Sequence, residues 1–368
     1  IPATPLSHRN LIINGAMQIC QRAQQDGLVQ VNNSAYGSVD RWKFWENTDG
    51  SYQAKQKSIT DLDGFAYSLY LSPNATDTSL AASQYAFFAQ LIEAQNLQHL
   101  SYGTADAKTM TLSFYIKSSF TGGKMTVYVA KYDNSTRIVP IEFDLPSSAD
   151  SWERITLTVP ALTETAAGRI NNDNGVGLEV GWYLASGGTY KVGTSGTWGS
   201  NSNGYSTANH NVNFMSSTSN YIEITGVQLE LGSVATPYEH RTFNDELQTC
   251  FRYYQKMSRV NTSITIPQGT YAYAIGDGVW YQASQILGCM TFVTKRAIPS
   301  ISVSSADAIY AYRSGGASTS DTTTCFDLPS LNSARINVNT WNTNGTAGQG
   351  THVIINDDEE IFIEAELN

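Results

Sequence analysis

Charge is scarce in this sequence. Only 15% of its 368 residues are Asp, Glu, Lys or Arg, and the 22 basic residues nowhere gather into a stripe or cluster. With a formal net charge of −10, the chain lacks the electrostatic footprint by which proteins hold nucleic acid or anionic membranes, and neither is an expected partner. Cysteine is also rare. The four, at 20, 250, 289 and 325, are too far apart for C-x-x-C metal spacing and read as buried thiols. No run approaches the ~18 consecutive apolar residues of a membrane-spanning helix, so membrane insertion is not expected. The opening IPATPLSHR begins with Ile1 and has neither a basic start nor an apolar core. No signal peptide is expected in it, and the missing initiator Met is compatible with removal of an upstream part.

Catalytic signatures are missing too. The histidines at 8, 99, 210, 240 and 352 stand singly, with no H-E-x-x-H or G-x-S-x-G motif. Gly175, Gly177 and Gly181 have the wrong spacing for a dinucleotide loop and lie in a strand-like segment. Asp40, Glu93, Glu179 and Glu223 fall on strands or their ends. A glycosidase pair would need two of them ~5–9 Å apart, a separation that spacing along the chain does not give. The expectation is a non-enzymatic protein with no catalytic residue, no cofactor and no metal.

Glycine (29), tyrosine (21) and polar uncharged residues are plentiful, the composition of a turn-rich β protein. A chain this long accommodates two domains with separate cores. Period-two alternation recurs in Tyr67-Leu69-Leu71, Met110-Leu112-Phe114-Ile116, Met125-Val127-Val129, Val139-Ile141-Phe143-Leu145, Ile155-Leu157-Val159 and Val176-Leu178-Val180-Trp182-Leu184, each bounded by turn residues. The fold class that follows is all-β: an antiparallel jelly-roll sandwich, a short linking helix and a smaller C-terminal β domain. Segment 85–100 fits a strand to Glu93 followed by a helical turn. Trp42, Trp45, Trp152 and Trp182 read as core or rim residues, and Trp280 and Trp341 likewise.

In 222–231 the inward parity switches from Ile222 and Ile224 to Val227, Leu229 and Leu231, which calls for a bulge at Gly226. After Pro237 the period turns helical. Phe243, Leu247, Cys250, Phe251 and Tyr254 share one stripe, with Asn244 as the expected N-cap. Alternation then resumes, as in Ser263-Ile264-Thr265-Ile266, and Asp357-Asp358-Glu359-Glu360 reads as a solvated hairpin tip. The expected organisation is an extended arm at 1–12, a jelly roll at 13–240, a linking helix at 241–258 and a C-terminal β domain at 259–368.

The stretches NLIINGAMQICQR, Asp40-Arg41-Trp42, AQLIEAQNLQHL with TMTLSFYIK, and above all GVQLELGSVATPYEHRTFNDELQTCFRYYQK resemble bacteriophage tail-fibre and related virion structural proteins. The resemblance implies a jelly roll similar to carbohydrate-binding modules, preceding a short helix and a C-terminal β domain. It also implies a homotrimeric tail appendage, assembled in the host cytoplasm with other virion tail proteins, that contacts host-surface polysaccharide or glycan. Two alternatives remain: a virion connector or decoration protein without receptor binding, and a polysaccharide depolymerase. Carbohydrate-binding modules of this shape often hold a structural Ca²⁺. Here Gln18, Thr225 and Gln228 stand where acids would be expected, leaving only Glu223 and Glu230 as weak ligands and no metal site.

A helix of about a dozen residues is marginal alone, so the face of Phe243, Leu247, Phe251 and Tyr254 must be covered, and it is the expected oligomer interface. The expected carbohydrate-binding residues lie in the polar loop 185–211. Tyr190, Trp198 and Tyr205 offer ring faces for sugar stacking amid Asn and Ser donors. An equal reading has Trp198 pinning the loop to the sheet or meeting a neighbouring subunit.

Overall fold

The computed structural model describes residues 8–31, 33–200, 203–258, 274–314, 316–356 and 359–368. They form two compact units: the chain to Leu247 together with Leu367–Asn368, and Gln248–Glu366. The sequence expectation Ser263–Ile266 lies outside the described residues, as do positions 1–7 of the expected arm and Asp357 and Asp358.

The first unit is an antiparallel jelly-roll sandwich. Its strands are β1 (Val29–Gln30), β2 (Ala35–Tyr36), β3 (Lys43–Glu46), β4 (Ser51–Ser58), β5 (Tyr67–Ala75), β6 (Tyr85–Glu93), β7 (Met110–Ser118), β8 (Lys124–Lys131), β9 (Arg137–Asp144), β10 (Glu153–Val159), β11 (Val176–Ser186) and β12 (Ile222–Leu231). One sheet runs β1-β4-β5-β12-β7-β10 and the other β2-β3-β6-β11-β8-β9. The alternation read from the sequence puts Leu69, Leu112, Phe114, Val127, Val180, Trp182 and Ile224 into one core between the sheets. Trp182 stands at its centre, stacked on Phe88 at 5.3 Å and edge-on to Phe114 of the opposite sheet at 5.5 Å. The 3-10 turn Ala94–Leu100 follows β6 directly, where the mixed periodicity of 85–100 changes character.

Gly226 takes φ +62 within a register shift between Thr225 and Gln228. A Cβ there would meet the rings of Phe65 at 2.7 Å and Tyr115 at 2.9 Å, so the bulge needs glycine for both conformation and space. Residues 10–12 of the expected extended arm pack on the sandwich: the Leu11 N–H donates to Leu229 O at 2.9 Å and Ile12 is buried.

The linking helix α1 is shorter than 241–258, running Phe243–Phe251. Its N-cap is Thr242 rather than Asn244: the Thr242 Oγ1 accepts from the Asp245 N–H at 3.2 Å and donates to the Asp245 carboxylate at 2.7 Å. Tyr254 is not helical. It opens the strand Tyr254–Ser258, which pairs with Glu360–Glu364, and these cross-strand bonds replace a last helical turn. The buried side chains at the joint are Glu246, Cys250, Tyr253 and Tyr254; Leu247 and Phe251 are half-buried, and Phe243 is 60% exposed.

The second unit has its own core around Trp280, Ile286, Ile336, Val353 and Ile361. It is built from a three-stranded sheet and a seven-stranded sheet, antiparallel throughout. The strands on either side of the acidic run do not pair with each other as a hairpin would require. Gly350–Ile355 belongs to the seven-stranded sheet and Glu360–Glu364 to the three-stranded one. The four cysteines form no disulfide with one another; Cys250 and Cys325 are buried, Cys20 is half-buried and Cys289, contrary to expectation, is exposed.

Candidate functional site: an aromatic pocket on the outer face of the second sheet

In a two-sheet sandwich the outward residues of each strand are usually polar. On β3, β6 and β11 one outward row is aromatic instead. Trp45 pairs with Phe87, and Phe87 pairs with Tyr183, so three aromatic rings cross three strands in one row. Trp45 stacks on Phe87 at 4.7 Å with 16° between planes, and Phe87 on Tyr183 at 5.1 Å and 29°.

The next row is Lys43, Ala89, Gly181 and Tyr128. Its small members make room: the Tyr128 ring lies over Gly181, where a Cβ would stand 2.5 Å from two of its ring carbons. Tyr128 is fully buried as a result. Its hydroxyl donates to Glu179 Oε1, and the Tyr132 hydroxyl donates to Glu179 Oε2 at 2.9 Å.

Glu179 is 6% exposed. Burial holds its carboxyl above the usual carboxylate range, against the two tyrosine hydrogen bonds and the charge of Lys43, which act the other way. Burial and the neighbouring carboxylate likewise push the Tyr132 hydroxyl far up, so both phenols stay protonated donors.

The polar segment after β11 completes the walls. It folds against β9, the edge strand of this sheet. Ile138 and Gly199 exchange backbone hydrogen bonds at 2.9 and 2.8 Å, and the Gly196 N–H donates to Pro140 O at 2.8 Å, covering an edge that would otherwise be open. The Gly187 N–H donates to Gln84 O at 2.8 Å, and the Ser206 N–H to Tyr190 O at 3.1 Å. Tyr190 therefore meets Tyr85 edge-on at 5.2 Å, and Tyr205 meets Tyr128 edge-on at 4.9 Å. Beneath the segment, burial and then the charge of Lys191 push His210 down to about 3. It is a neutral structural histidine.

The result is a pocket of about 260 Å³ lined by Trp45, Tyr85, Phe87, Tyr132, Glu179, Tyr183, Tyr190 and Tyr205. Of the three expected binding residues, the fold brings Tyr190 and Tyr205 together here. Trp198 lies elsewhere. Its indole N–H donates to Pro160 O at 2.8 Å, and its ring packs edge-on to Tyr102 at 5.7 Å against the main core, the arrangement of a pin. The strand residues Trp45, Tyr85, Phe87, Tyr183 and Glu179 were not singled out as ligand-binding by sequence. Their signal was present in YAFFAQ and VGWYLAS, where aromatics occupy both parities of one strand and cannot all point into one core.

Of the four scattered carboxylates, Glu93 and Glu179 lie on adjacent strands of the second sheet, with Leu91 paired to Glu179, and Glu223 belongs to the other sheet. Glu223 faces outward from the opposite sheet, where it is fully buried under Lys57 at 2.6 Å, Lys117 at 3.3 Å and the Ser68 hydroxyl at 2.9 Å. Asp40 is buried and accepts the Gln21 N–H at 2.8 Å. Glu93 ends β6 and accepts from Gln95. Glu230 accepts from Thr236 N–H at 2.9 Å and from its hydroxyl at 2.7 Å. Among the described residues no cluster of His, Cys, Asp and Glu could hold a metal ion.

No protein-family model matches the chain, and no curated protein matches it. Solved structures to which it is similar include an arabinose-bound GH51 α-L-arabinofuranosidase, with 12% identity and TM-score 0.34; the match covers 67% of this chain and spans 30% of the length of that enzyme. They also include the family 11 carbohydrate-binding module from Clostridium thermocellum in complex with a β-1,3-1,4-mixed-linked tetrasaccharide, with 12% identity and TM-score 0.27, covering 59% of this chain and 100% of that one. The CBM22-1 xylan-binding domain of Paenibacillus barcinonensis Xyn10C matches with 10% identity and TM-score 0.28, covering 58% of this chain and 99% of that one. At these scores none of them assigns a family or a ligand to this chain.

Proposed function

We propose that this protein is a non-enzymatic glycan-binding protein whose site is the pocket between Trp45 and Tyr205. The observation that carries this reading is an outward-facing aromatic row with a hydrogen-bonded carboxylate at its floor. Sugar rings offer an apolar face to aromatic side chains and hydroxyls to polar groups at the edges, and this pocket supplies both. Among the described residues one carboxylate, Glu179, lines it, where glycoside hydrolysis uses a pair.

The expected result of Trp45→Ala is a fall of about two- to tenfold in affinity for a neutral oligosaccharide selected on a glycan array, because one stacking contact contributes ~0.5–1.5 kcal/mol. Thermal unfolding should move little, since Trp45 is half-buried at the sheet surface. Unchanged affinity in titration calorimetry would remove the pocket as the binding site.

The setting proposed for this activity is a virion tail appendage, assembled with other tail proteins and contacting host-surface polysaccharide. Its support is the resemblance carried by residues 226–254. Saturable binding of labelled protein to host cells separates this reading from a connector that binds only virion proteins. A homotrimer is part of the proposal, with Phe243 and the half-buried Leu247 and Phe251 as its contact face; Tyr254, already buried within the strand pairing, is dropped from it. Light scattering at micromolar concentration should give three times the chain mass, and Leu247→Asp should reduce it by placing a charge in an apolar contact. A monomeric mass for the unmutated protein refutes the trimer.

A further inference from the structure

The carboxylate at the pocket floor bears on which sugars fit. Trp45, Tyr85, Phe87, Tyr183, Tyr190 and Tyr205 stand around Glu179, whose two oxygens each take one phenol hydroxyl, from Tyr128 and Tyr132. Among the described residues Glu179 forms no ion pair. Lys43 is the cation whose charge reaches it. The Lys43 ammonium lies toward β2 and β3, over the rings of Trp45 at 5.1 Å and Tyr36 at 5.6 Å, and 3.4 Å from Asn368 Oδ1.

A buried carboxylate without a contacting cation is costly, and a ligand that supplies one recovers part of that cost. The aromatic walls act in the same direction, because each ring face is the negative end of a quadrupole and attracts a cation placed over it. A neutral hydroxyl would donate a hydrogen bond to Glu179 but gain neither of these effects. The net charge of −10 also favours approach of a polycation over a polyanion.

Building on the reading of this pocket as a glycan site, we propose that its preferred ligand is a saccharide bearing a protonated amine, an unacetylated hexosamine unit. The ammonium group faces Glu179 and the sugar ring lies against the aromatic wall. N-acetylation would remove the charge and add bulk at the floor of the pocket, so the acetylated polymer is a poor substitute.

The test is titration calorimetry of the full chain at about pH 6, where a sugar amine is largely charged, with glucosamine, N-acetylglucosamine and glucose tetramers sharing β-1,4 linkage. The glucosamine tetramer should bind about tenfold or more tighter than either neutral tetramer, and the advantage should shrink as salt is raised. Glu179→Gln, which keeps the shape and one acceptor, should bring glucosamine affinity down to what the unmutated protein shows for the glucose tetramer. The three-sugar comparison needs no variant and stands even where this substitution disturbs folding. Equal or tighter binding of a neutral tetramer to the unmutated protein overturns the amine preference and leaves the glycan site in place. Failure of all three tetramers overturns it as well, and failure of every array glycan, with Trp45→Ala silent, removes the glycan reading itself.

Discussion

Trp182→Ala should lower the unfolding free energy of the jelly-roll unit by about 3–5 kcal/mol. Trp182 is fully buried and touches rings on both sheets, with Phe88 stacked at 5.3 Å, Trp42 at 5.7 Å and Phe114 edge-on at 5.5 Å. Truncation leaves a cavity that these rings, held on paired strands, cannot all move to fill. For a unit of this size the midpoint should fall on the order of 10 °C in calorimetry. A loss under about 1 kcal/mol would mean that the site collapses freely and that the core is less closely packed than described. The second unit has a separate core around Trp280, so only one of two unfolding transitions should shift.

The neighbouring substitution, Gly181→Val, should act chiefly on binding. Gly181 is the next residue along β11 and therefore faces the opposite way, toward the pocket. It is absent from the residues of positive φ, and valine is a favourable strand residue, so the backbone is not the difficulty. The difficulty is space: a Cβ would stand 2.5 Å from two carbons of the Tyr128 ring and 2.6 Å from its oxygen. Tyr128 must leave, taking the hydroxyl that holds Glu179 and the edge contact with Tyr205 at 4.9 Å. Overpacking of this kind costs about 1–3 kcal/mol in stability. Glycan affinity should fall more than tenfold, since the floor and one wall move together. Affinity within about twofold of the unmutated protein would show that Tyr128 and Glu179 do not shape the site.

These two variants mark where sequence reading succeeds and where it stops. Alternation along β5, β7, β8, β10 and β11 reports burial on one face of each strand, and that is a local property. The parity change at Gly226 is local too, and the register shift lies there. The helix was legible in its beginning but not its end, because Tyr254 completes an apolar stripe equally well as a helical residue or as the first residue of a strand. Pairing with Glu364, more than a hundred positions away, decides it. The same kind of distant pairing defeats the hairpin reading of the acidic run.

The pocket belongs to the other category. That Tyr190 and Tyr205 sit in a polar segment between strands is visible in sequence. That they stand opposite Trp45, Tyr85 and Phe87 depends on β3, β6 and β11 being neighbours in one sheet and on the segment docking along β9. Trp198, also aromatic and in the same segment, falls away from them because its indole N–H finds Pro160. Sequence by itself determined the β architecture, the bulge and the presence of a helical joint, since side-chain periodicity and glycine conformation act over a few residues. Which aromatics meet over which carboxylate was decided only by strand order and register, because contacts between residues far apart in the chain form when the sheets do.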